Sequence, residues 1–190
     1  MIKIKRKIFL FIILFFIFLI LFSCYKEKNE SASYEDYNLK LQSINTEVKN
    51  NDRIIWDEYD KILNLNPSNN KFFILFFYAD WCPYCKKMEE TTFKDKSVIE
   101  ILNNNFIAIK INSESRELLS KKNKEINGIY LSQKYQITGL PTTVFLDKKG
   151  NPLTAAPGYL PADFFINILK YIYTESYKTE TFESFIEKQK

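Results

Sequence analysis

The chain has 190 residues, enough for one globular domain with additional segments, and 46% of them are hydrophobic. Residues 1–23 contain four of the 27 basic residues and none of the 23 acidic ones, so the rest of the chain has no net charge. A domain with no net charge has no overall basic excess that would favour nucleic acid, and we predict no nucleic-acid partner.

The first segment, residues 1–23, has the form of a secretory signal peptide. A basic start, MIKIKRK, precedes an uninterrupted apolar run from Ile8 to Phe22, which is the order of charge and hydrophobicity in export signals. The run is shorter than the roughly 20 residues that a membrane-spanning helix needs. An uncleaved signal anchor is the alternative, and it would place the domain on the same side of the membrane.

The signal ends in LFSC (residues 21–24), which resembles the lipobox of bacterial lipoproteins. This resemblance implies cleavage before Cys24, a diacylglycerol group on its thiol and a lipid anchor in the bacterial cell envelope. Phe22 departs from the smaller residue usual at its position, and an incidental cysteine is the alternative. A lipidated Cys24 would leave Cys82 and Cys85 as an isolated pair.

The chain after the signal divides into three predicted parts. Residues 24–50 comprise Cys24, a polar tether and a helix, residues 51–173 form a globular domain, and residues 174–190 form a C-terminal helical tail. The first helix is predicted from apolar residues that recur along one helical face, namely Tyr37, Leu41, Ile44 and Val48.

The globular domain is predicted to begin with a short helix and a buried strand. Asp57 is placed to cap a helix that ends near Leu65. The continuous apolar run KFFILFFYA (71–79) follows the turn sequence NPSNN, which indicates a strand in the middle of a sheet. The residues predicted to face inward from the short helix are Trp56, Tyr59 and Leu63.

Helices and strands alternate through the rest of the domain, which predicts an α/β fold with a mixed central sheet and helices on both faces. In chain order the predicted elements are a helix from Pro83, a helix in SVIEILNN (97–104), a strand at 106–112, an exposed helix and loop over 113–129, a short helix at 130–135, two strands around the KKGN turn (148–151), a helix over 161–176 with Pro161 in its first turn, and a last helix at 181–188.

The motif WCPYCKK (81–87) holds two of the three cysteines, and four kinds of site could explain the pair. A zinc site within one chain would lack ligands, because the chain has no histidine. A zinc site shared between two subunits is the alternative. Covalent haem needs histidine where Lys86 stands. A structural disulfide would close a loop too small to stabilise much. We therefore predict a redox-active dithiol, with no metal and no cofactor.

The neighbours of the pair favour a reactive first cysteine. A strand ends before Cys82 and a helix begins in the motif, so free backbone N–H groups and the helix dipole would favour its thiolate. Pro83 suits the first helical position. Cys85 lies one turn further on, within reach of a mixed disulfide on Cys82. Trp81 and Tyr84 are predicted to offer apolar surface to a substrate chain.

The segment FFYADWCPYCKKMEETTF (76–93) resembles the active-site segment of thioredoxin-fold thiol–disulfide oxidoreductases. It is similar to exported bacterial members such as the C-terminal domain of the thiol reductant transporter and thioredoxin-like lipoproteins. TGLPTTVFLD (138–147) resembles the cis-proline loop of that family. The resemblance covers roughly residues 52–172 and implies a thioredoxin-like fold. It also implies a cis Pro141 across from Cys82, preceded by Leu140, and pairing of a substrate strand beside this loop.

One position departs from the family pattern. Many thioredoxins carry a buried Asp six residues before the first cysteine, where it helps to move a proton, and that residue is Phe76 here. Asp80 and Glu89 are the candidates for this proton relay. Asp80 is also placed to cap the helix or to remain in solvent.

The resemblance implies a monomer that exchanges its Cys82–Cys85 disulfide with client proteins carrying disulfides or thiols. Export places this reaction on the extracytoplasmic or periplasmic side of the membrane, where a membrane protein could donate electrons. A reductant is favoured, because Tyr84 cannot stabilise a thiolate as the histidine of strong oxidants does. The alternatives are a dithiol oxidant and a binding or chaperone lipoprotein whose dithiol is not catalytic.

Overall fold

The computed structural model describes residues 52–64 and 70–189. The predictions for residues 1–50, including the lipidation of Cys24, and the predicted helix end near Leu65 lie outside the described residues. None of the helices in the described ranges is long and apolar enough to cross a membrane. In chain order the elements are α1 (Asp60–Leu63), β1 (Phe72–Tyr78), α2 (Pro83–Glu90), a 3-10 turn (Thr92–Lys94), α3 (Lys96–Asn105), β2 (Phe106–Asn112), α4 (Gly128–Lys134), β3 (Thr142–Leu146), β4 (Pro152–Pro157), α5 (Ala162–Tyr173), a second 3-10 turn (Ser176–Lys178) and α6 (Phe182–Glu187).

The four strands form one mixed sheet in the order β2-β1-β3-β4. β1 and β2 run parallel, with Phe72 opposite Phe106 and Tyr78 opposite Asn112. The pairs β1–β3 and β3–β4 are antiparallel. Because β1 has a strand on each side and helices over both faces, nearly all of its side chains are buried. This arrangement confirms the predicted α/β fold with a mixed sheet.

Each face of the sheet has its own hydrophobic core, since successive side chains of a strand point to opposite faces. On one face, which we call the cysteine face, α2, α3 and α5 pack against Phe76 and its neighbours, and this core includes both cysteines of the motif. On the other face, Tyr59 and Leu131 pack against Leu75 and Phe77.

The helix predicted from Asp57 is shorter than expected, and the predicted cap is wrong. α1 spans Asp60–Leu63 and has no side-chain cap. The backbone N–H of Asp57 instead donates to the carbonyl of Ala108 at 2.7 Å, which keeps this stretch extended beside β2. Leu63 is 43% exposed, so its predicted inward orientation is wrong, whereas Tyr59 is buried as expected.

The exposed helix predicted within residues 113–129 is also wrong, because the chain is irregular from the end of β2 to the start of α4. This stretch is anchored to α1 by Asp60, whose carboxylate accepts hydrogen bonds from the Ser120 hydroxyl and the Lys121 backbone N–H. These bonds, the hydroxyl bond first, lower the pKa of Asp60. At its far end a Cβ on Gly128 would lie 1.8 Å from the carbonyl oxygen of Asn112, so only glycine lets the chain approach β2 this closely.

The C-terminal segment packs on the domain. The Thr181 hydroxyl accepts the backbone N–H of Ser184 at 3.3 Å and caps α6. Phe185 is 6% exposed, and its ring centroid lies 5.3 Å from that of Tyr171 on α5. Aromatic contacts of this kind bury large apolar areas and hold α6 against α5.

Candidate active site

The loop between β1 and α2 carries the first cysteine of the motif to the start of a helix. Cys82 is the N-cap of α2, and its sulfur accepts the backbone N–H of Cys85 at 3.1 Å. Pro83 occupies the first helical position, as predicted, where a missing N–H does not weaken the helix. The Cys82 sulfur therefore lies at the positive end of the helix dipole.

Cys82 and Cys85 are joined by a disulfide, with their Cα atoms 5.3 Å apart. Both residues are almost fully buried, at 2% and 1% exposure. One helical turn is thus a short enough separation for either sulfur to attack the other, which a redox pair requires. Within the described part of the chain, no group of three or more His, Cys, Asp or Glu side chains is arranged to hold a metal ion.

Two aromatic side chains beside the cysteines are exposed. Trp81 is 65% exposed and Tyr84 is 59% exposed. The Trp81 indole N–H donates to the Glu114 carboxylate at 2.9 Å, which orients the ring. Large apolar rings in solvent next to a buried disulfide offer contact area to a client chain.

The proline loop has the geometry that the family resemblance implies. The Leu140–Pro141 peptide bond is cis, and the Pro141 carbonyl accepts the backbone N–H of Gly158 at 2.7 Å. Leu140 is half-buried and packs against the core that contains both cysteines. The Thr142 hydroxyl donates to the Gly139 carbonyl at 2.7 Å and closes the turn.

Asp80 does not cap α2, because the cap is Cys82. The Asp80 carboxylate is exposed and accepts a hydrogen bond from the Asn112 side-chain amide at 3.2 Å. Asn112 in turn accepts the backbone N–H of Glu114 at 3.0 Å. Asp80 therefore helps to hold the loop before Cys82 against the end of β2, and its predicted alternative of remaining in solvent agrees with its exposure.

Glu89, the other candidate for proton transfer, forms an ion pair. Its carboxylate lies 2.9 Å from the Lys110 ammonium, which also lies over the Tyr78 ring, 4.2 Å from its centroid. Lys110 is the β2 partner of Phe76. A charged pair thus lies at one margin of the cysteine face, next to the position where the expected buried carboxyl group is absent.

Phe76 itself fills the buried position with an aromatic ring. It is fully buried, and its ring lies 4.8 Å from that of Phe93 in an edge-to-face arrangement. Trp56, predicted to face inward, is half-buried and lies 5.4 Å from Phe93. The core behind the cysteines is therefore aromatic around Phe76.

Asn112 and Glu114 were not among the residues predicted for the site. Asn112 is the last residue of β2 and Glu114 lies two residues further on, while the cysteine motif follows the end of β1. Because β1 and β2 are parallel neighbours, their carboxyl ends meet at one edge of the sheet and bring these residues to the motif. The signal was present in the sequence, as polar residues at and just after the end of a predicted strand.

A family model of the thioredoxin-like domain matches residues 59–173. This chain belongs to the thioredoxin-like family. The thiol:disulfide interchange protein DsbD of Haemophilus influenzae strain PittEE is 32% identical over 119 residues, which are 62% of this chain and 19% of that protein. The chain thus spans about a fifth of the length of the curated relatives it matches. The family and the paired cysteines support thiol–disulfide oxidoreductase activity for this domain.

Solved structures agree on the fold. A thioredoxin-fold protein from Helicobacter pylori is 25% identical with a TM-score of 0.53, over 68% of this chain and 90% of that one. A thioredoxin from Thermus thermophilus is 24% identical with a TM-score of 0.52, over 63% of this chain and 87% of that one. The second similarity shows the fold alone.

The contact between Trp81 and Glu114 predicts a selective effect on large substrates. We expect Glu114→Ala to slow the reduction of insulin by about two- to fivefold, the size of effect that losing one exposed hydrogen bond gives. Reduction of a small disulfide reagent should be unchanged, because it does not need the Trp81 surface. Both rates are measured on the full chain.

The matched control is Glu117→Ala, which removes the same charge from an exposed residue three positions away. It should leave both rates at the wild-type level. Equal losses for insulin and for the small reagent in Glu114→Ala would contradict a role for Glu114 in orienting the client surface.

Proposed function

We propose that this protein is anchored in a membrane of the bacterial cell envelope and reduces disulfides of client proteins on the extracytoplasmic side. The observation that carries the proposal is the buried Cys82–Cys85 disulfide at the start of α2, with Trp81 and Tyr84 exposed beside it. The position of the Cys82 sulfur favours its thiolate, and the exposed rings give a client chain a surface to contact.

In the proposed reaction the reduced Cys82 thiolate attacks a client disulfide. The client bond breaks, a mixed disulfide forms on Cys82, and one client sulfur leaves as a thiolate. Cys85 then attacks the Cys82 sulfur, the Cys82–Cys85 bond forms and the second client sulfur leaves. The client gains two electrons and the protein ends oxidised. A membrane electron donor would have to reduce it again.

Pro83 and Tyr84, the two residues between the cysteines, favour the reducing direction. Reduction potentials in this family range from about −270 to about −120 mV, and a stabilised thiolate makes the protein a stronger oxidant. Pro83 and Tyr84 carry no positive charge, and the chain has no histidine to supply one. Stabilisation of the Cys82 thiolate therefore comes from the helix start, without a neighbouring imidazolium.

Membrane anchoring is proposed from residues 1–24. The basic and apolar segments of residues 1–23 support export, and the lipobox-like LFSC sequence supports a lipid on Cys24. Acyl chains contribute about 0.8 kcal/mol for each buried CH₂ group, so more than one chain gives firm attachment. We propose residues 24–50 as the lipidated tether and helix, residues 51–173 as the working domain and residues 174–190 as its helical tail.

The roles of single residues belong to this proposal. Cys82 is the nucleophile and Cys85 the resolving cysteine, and Pro83 shapes the start of the helix. Leu140 and Pro141 present backbone to the client, as in the family. Glu89, paired with Lys110 beside Phe76, and Asp80, in the loop before Cys82, are the candidates for proton transfer. We propose a monomer that needs no cofactor or metal.

The main rival is a binding or chaperone lipoprotein whose disulfide does no chemistry, which the exposed Trp81 and Tyr84 would also suit. Reduction of insulin separates the two functions, since only an exchange enzyme turns over. A dithiol oxidant would instead oxidise client thiols, and a measured reduction potential near the oxidising end of the family range would favour it.

Removal of the resolving cysteine should trap clients. We expect Cys85→Ser, expressed in the native cell, to accumulate disulfide-linked complexes through Cys82, because the mixed disulfide can no longer be resolved. Non-reducing gels and mass spectrometry detect these complexes. Cys82→Ser is the control and should trap none. Failure of a folded, exported Cys85→Ser protein to capture any client would contradict the proposed exchange.

Removal of the proposed lipid site should release the protein. We expect the wild-type chain to incorporate labelled fatty acid and to sediment with membranes, and Cys24→Ser to lose both properties. Cys82→Ser is the matched cysteine control and should keep the label. A wild-type protein that stays in the membrane without label would contradict lipidation and indicate an uncleaved signal anchor.

A further inference from the structure

A buried hydroxyl group on β3 has no protein partner among the described residues. Thr143 is fully buried, and its Oγ1 atom makes no hydrogen bond. The other described residue with such an oxygen is Ser113, which lies outside the sheet just after β2. Buried hydroxyls that donate to nothing are uncommon, because burial removes them from water without replacement.

Ser113 is only half-buried as a residue, and the other buried serine and threonine residues of the described chain all donate to an acceptor. They donate to the Leu160 carbonyl, the Asp60 carboxylate and the Gly139 carbonyl. The donors, in that order, are Thr92, Ser120 and Thr142. Thr143 differs from these residues, because its hydroxyl is buried and donates to no acceptor among the described residues.

Thr143 lies on the cysteine face of the sheet. Val144 and Leu146 belong to the opposite core and Phe145 to the cysteine core, so alternation places Thr143 with Phe145. Its direct partner on β1 is Phe76. The unused hydroxyl is thus in the apolar layer that packs against Cys82 and Cys85.

The two sulfurs of the disulfide differ in the hydrogen bonds that they accept. The Cys82 sulfur accepts the backbone N–H of Cys85 at the helix start. The Cys85 sulfur accepts no hydrogen bond from the described residues, and Cys85 is 1% exposed. A thiolate on Cys85, which the reaction must form, would therefore be buried without a donor unless one turns towards it.

We infer that the Thr143 hydroxyl donates a hydrogen bond to the Cys85 sulfur once the disulfide has opened, and that this bond stabilises the resolving thiolate. The inference rests on the proposed function. It gives Thr143 a role in the reaction that the sequence of β3 does not indicate, because threonine is common in strands.

In the proposed reaction the two cysteine thiols become a disulfide, and the client disulfide becomes two thiols. When Cys82 attacks the client disulfide, the first client sulfur leaves as a thiolate, and the Cys85 thiol loses its proton to the surrounding water. Cys85 is left as a thiolate that accepts the Thr143 O–H. It then attacks the Cys82 sulfur, the bond from Cys82 to the client breaks, and the second client thiolate is protonated by water. The Thr143 proton stays on its oxygen throughout.

Thr143→Val tests the inference, because valine keeps the branched shape and removes only the donor. The full chain carrying Cys24→Ser is reduced and mixed with dithiobis-nitrobenzoate. Attack by Cys82 releases a first coloured thiolate in a second-order phase, and resolution by Cys85 releases a second in a first-order phase. We expect Thr143→Val to slow the second phase about tenfold at neutral pH, with its pH profile moved up by about one unit.

The first phase should be unchanged, because the donor of Cys82 is a backbone N–H. Thr143→Ser keeps a hydroxyl and should restore most of the resolution rate. Thr92→Val makes the same change at a buried threonine whose proton is already used, and it should leave the pH profile of resolution in place. The oxidised Thr143→Val protein should be at least as resistant to urea as the wild type, since no partner is lost.

The outcomes distinguish failure of the proposed disulfide exchange from failure of the inference about Thr143. A wild-type chain that releases no second thiolate would refute the proposed exchange itself. A wild-type chain with both phases and a Thr143→Val variant with an unchanged pH profile would overturn only the inference about Thr143. Unfolding of the oxidised Thr143→Val protein would also overturn it, because the hydroxyl would then have a structural partner.

Discussion

The hydrogen bond from the Cys85 backbone N–H to the Cys82 sulfur is the interaction on which the geometry of the cysteine motif depends. It makes the first cysteine the cap of α2, and Pro83 fixes the backbone of the first turn without needing a donor of its own. The same turn places Cys85 at the distance that a disulfide requires. The start of the helix, the disulfide and the position of the Cys82 sulfur are therefore consequences of one local geometry.

That geometry needs the sheet behind it. β1 is buried on both faces and delivers the motif to the sheet edge where β2 also ends, so the Asp80, Asn112 and Glu114 contacts can hold the loop. Behind the sulfurs Phe76 makes the core aromatic, and its β2 partner Lys110 forms an ion pair with Glu89. Polar contacts thus hold the loop before Cys82, while apolar side chains pack behind the two sulfurs. Of these sulfurs, that of Cys82 accepts a backbone N–H.

Much of this could be predicted from local sequence patterns. The apolar run of β1 and the helix starting at Pro83 each depend on a few neighbouring residues, whereas the cis-proline loop was implied by the family resemblance; the structure has all three. The cap of α1 could not be predicted, because pairing of Asp57 with Ala108, a contact distant in sequence, overrides the local preference. The helix expected within 113–129 failed for the same reason, since Asp60 anchors that stretch from another element. Thr143 could not be singled out from the sequence, because its place opposite Phe76 depends on the pairing of β3 with β1.

The most direct test is the pH dependence of Cys82 alkylation by iodoacetamide in the reduced chain carrying Cys24→Ser and Cys85→Ser. Support from the helix start predicts a midpoint clearly below that of an ordinary cysteine, which is about 8.5. A midpoint at or above that value would mean that the start of α2 does not favour the charged sulfur, and it would contradict the account.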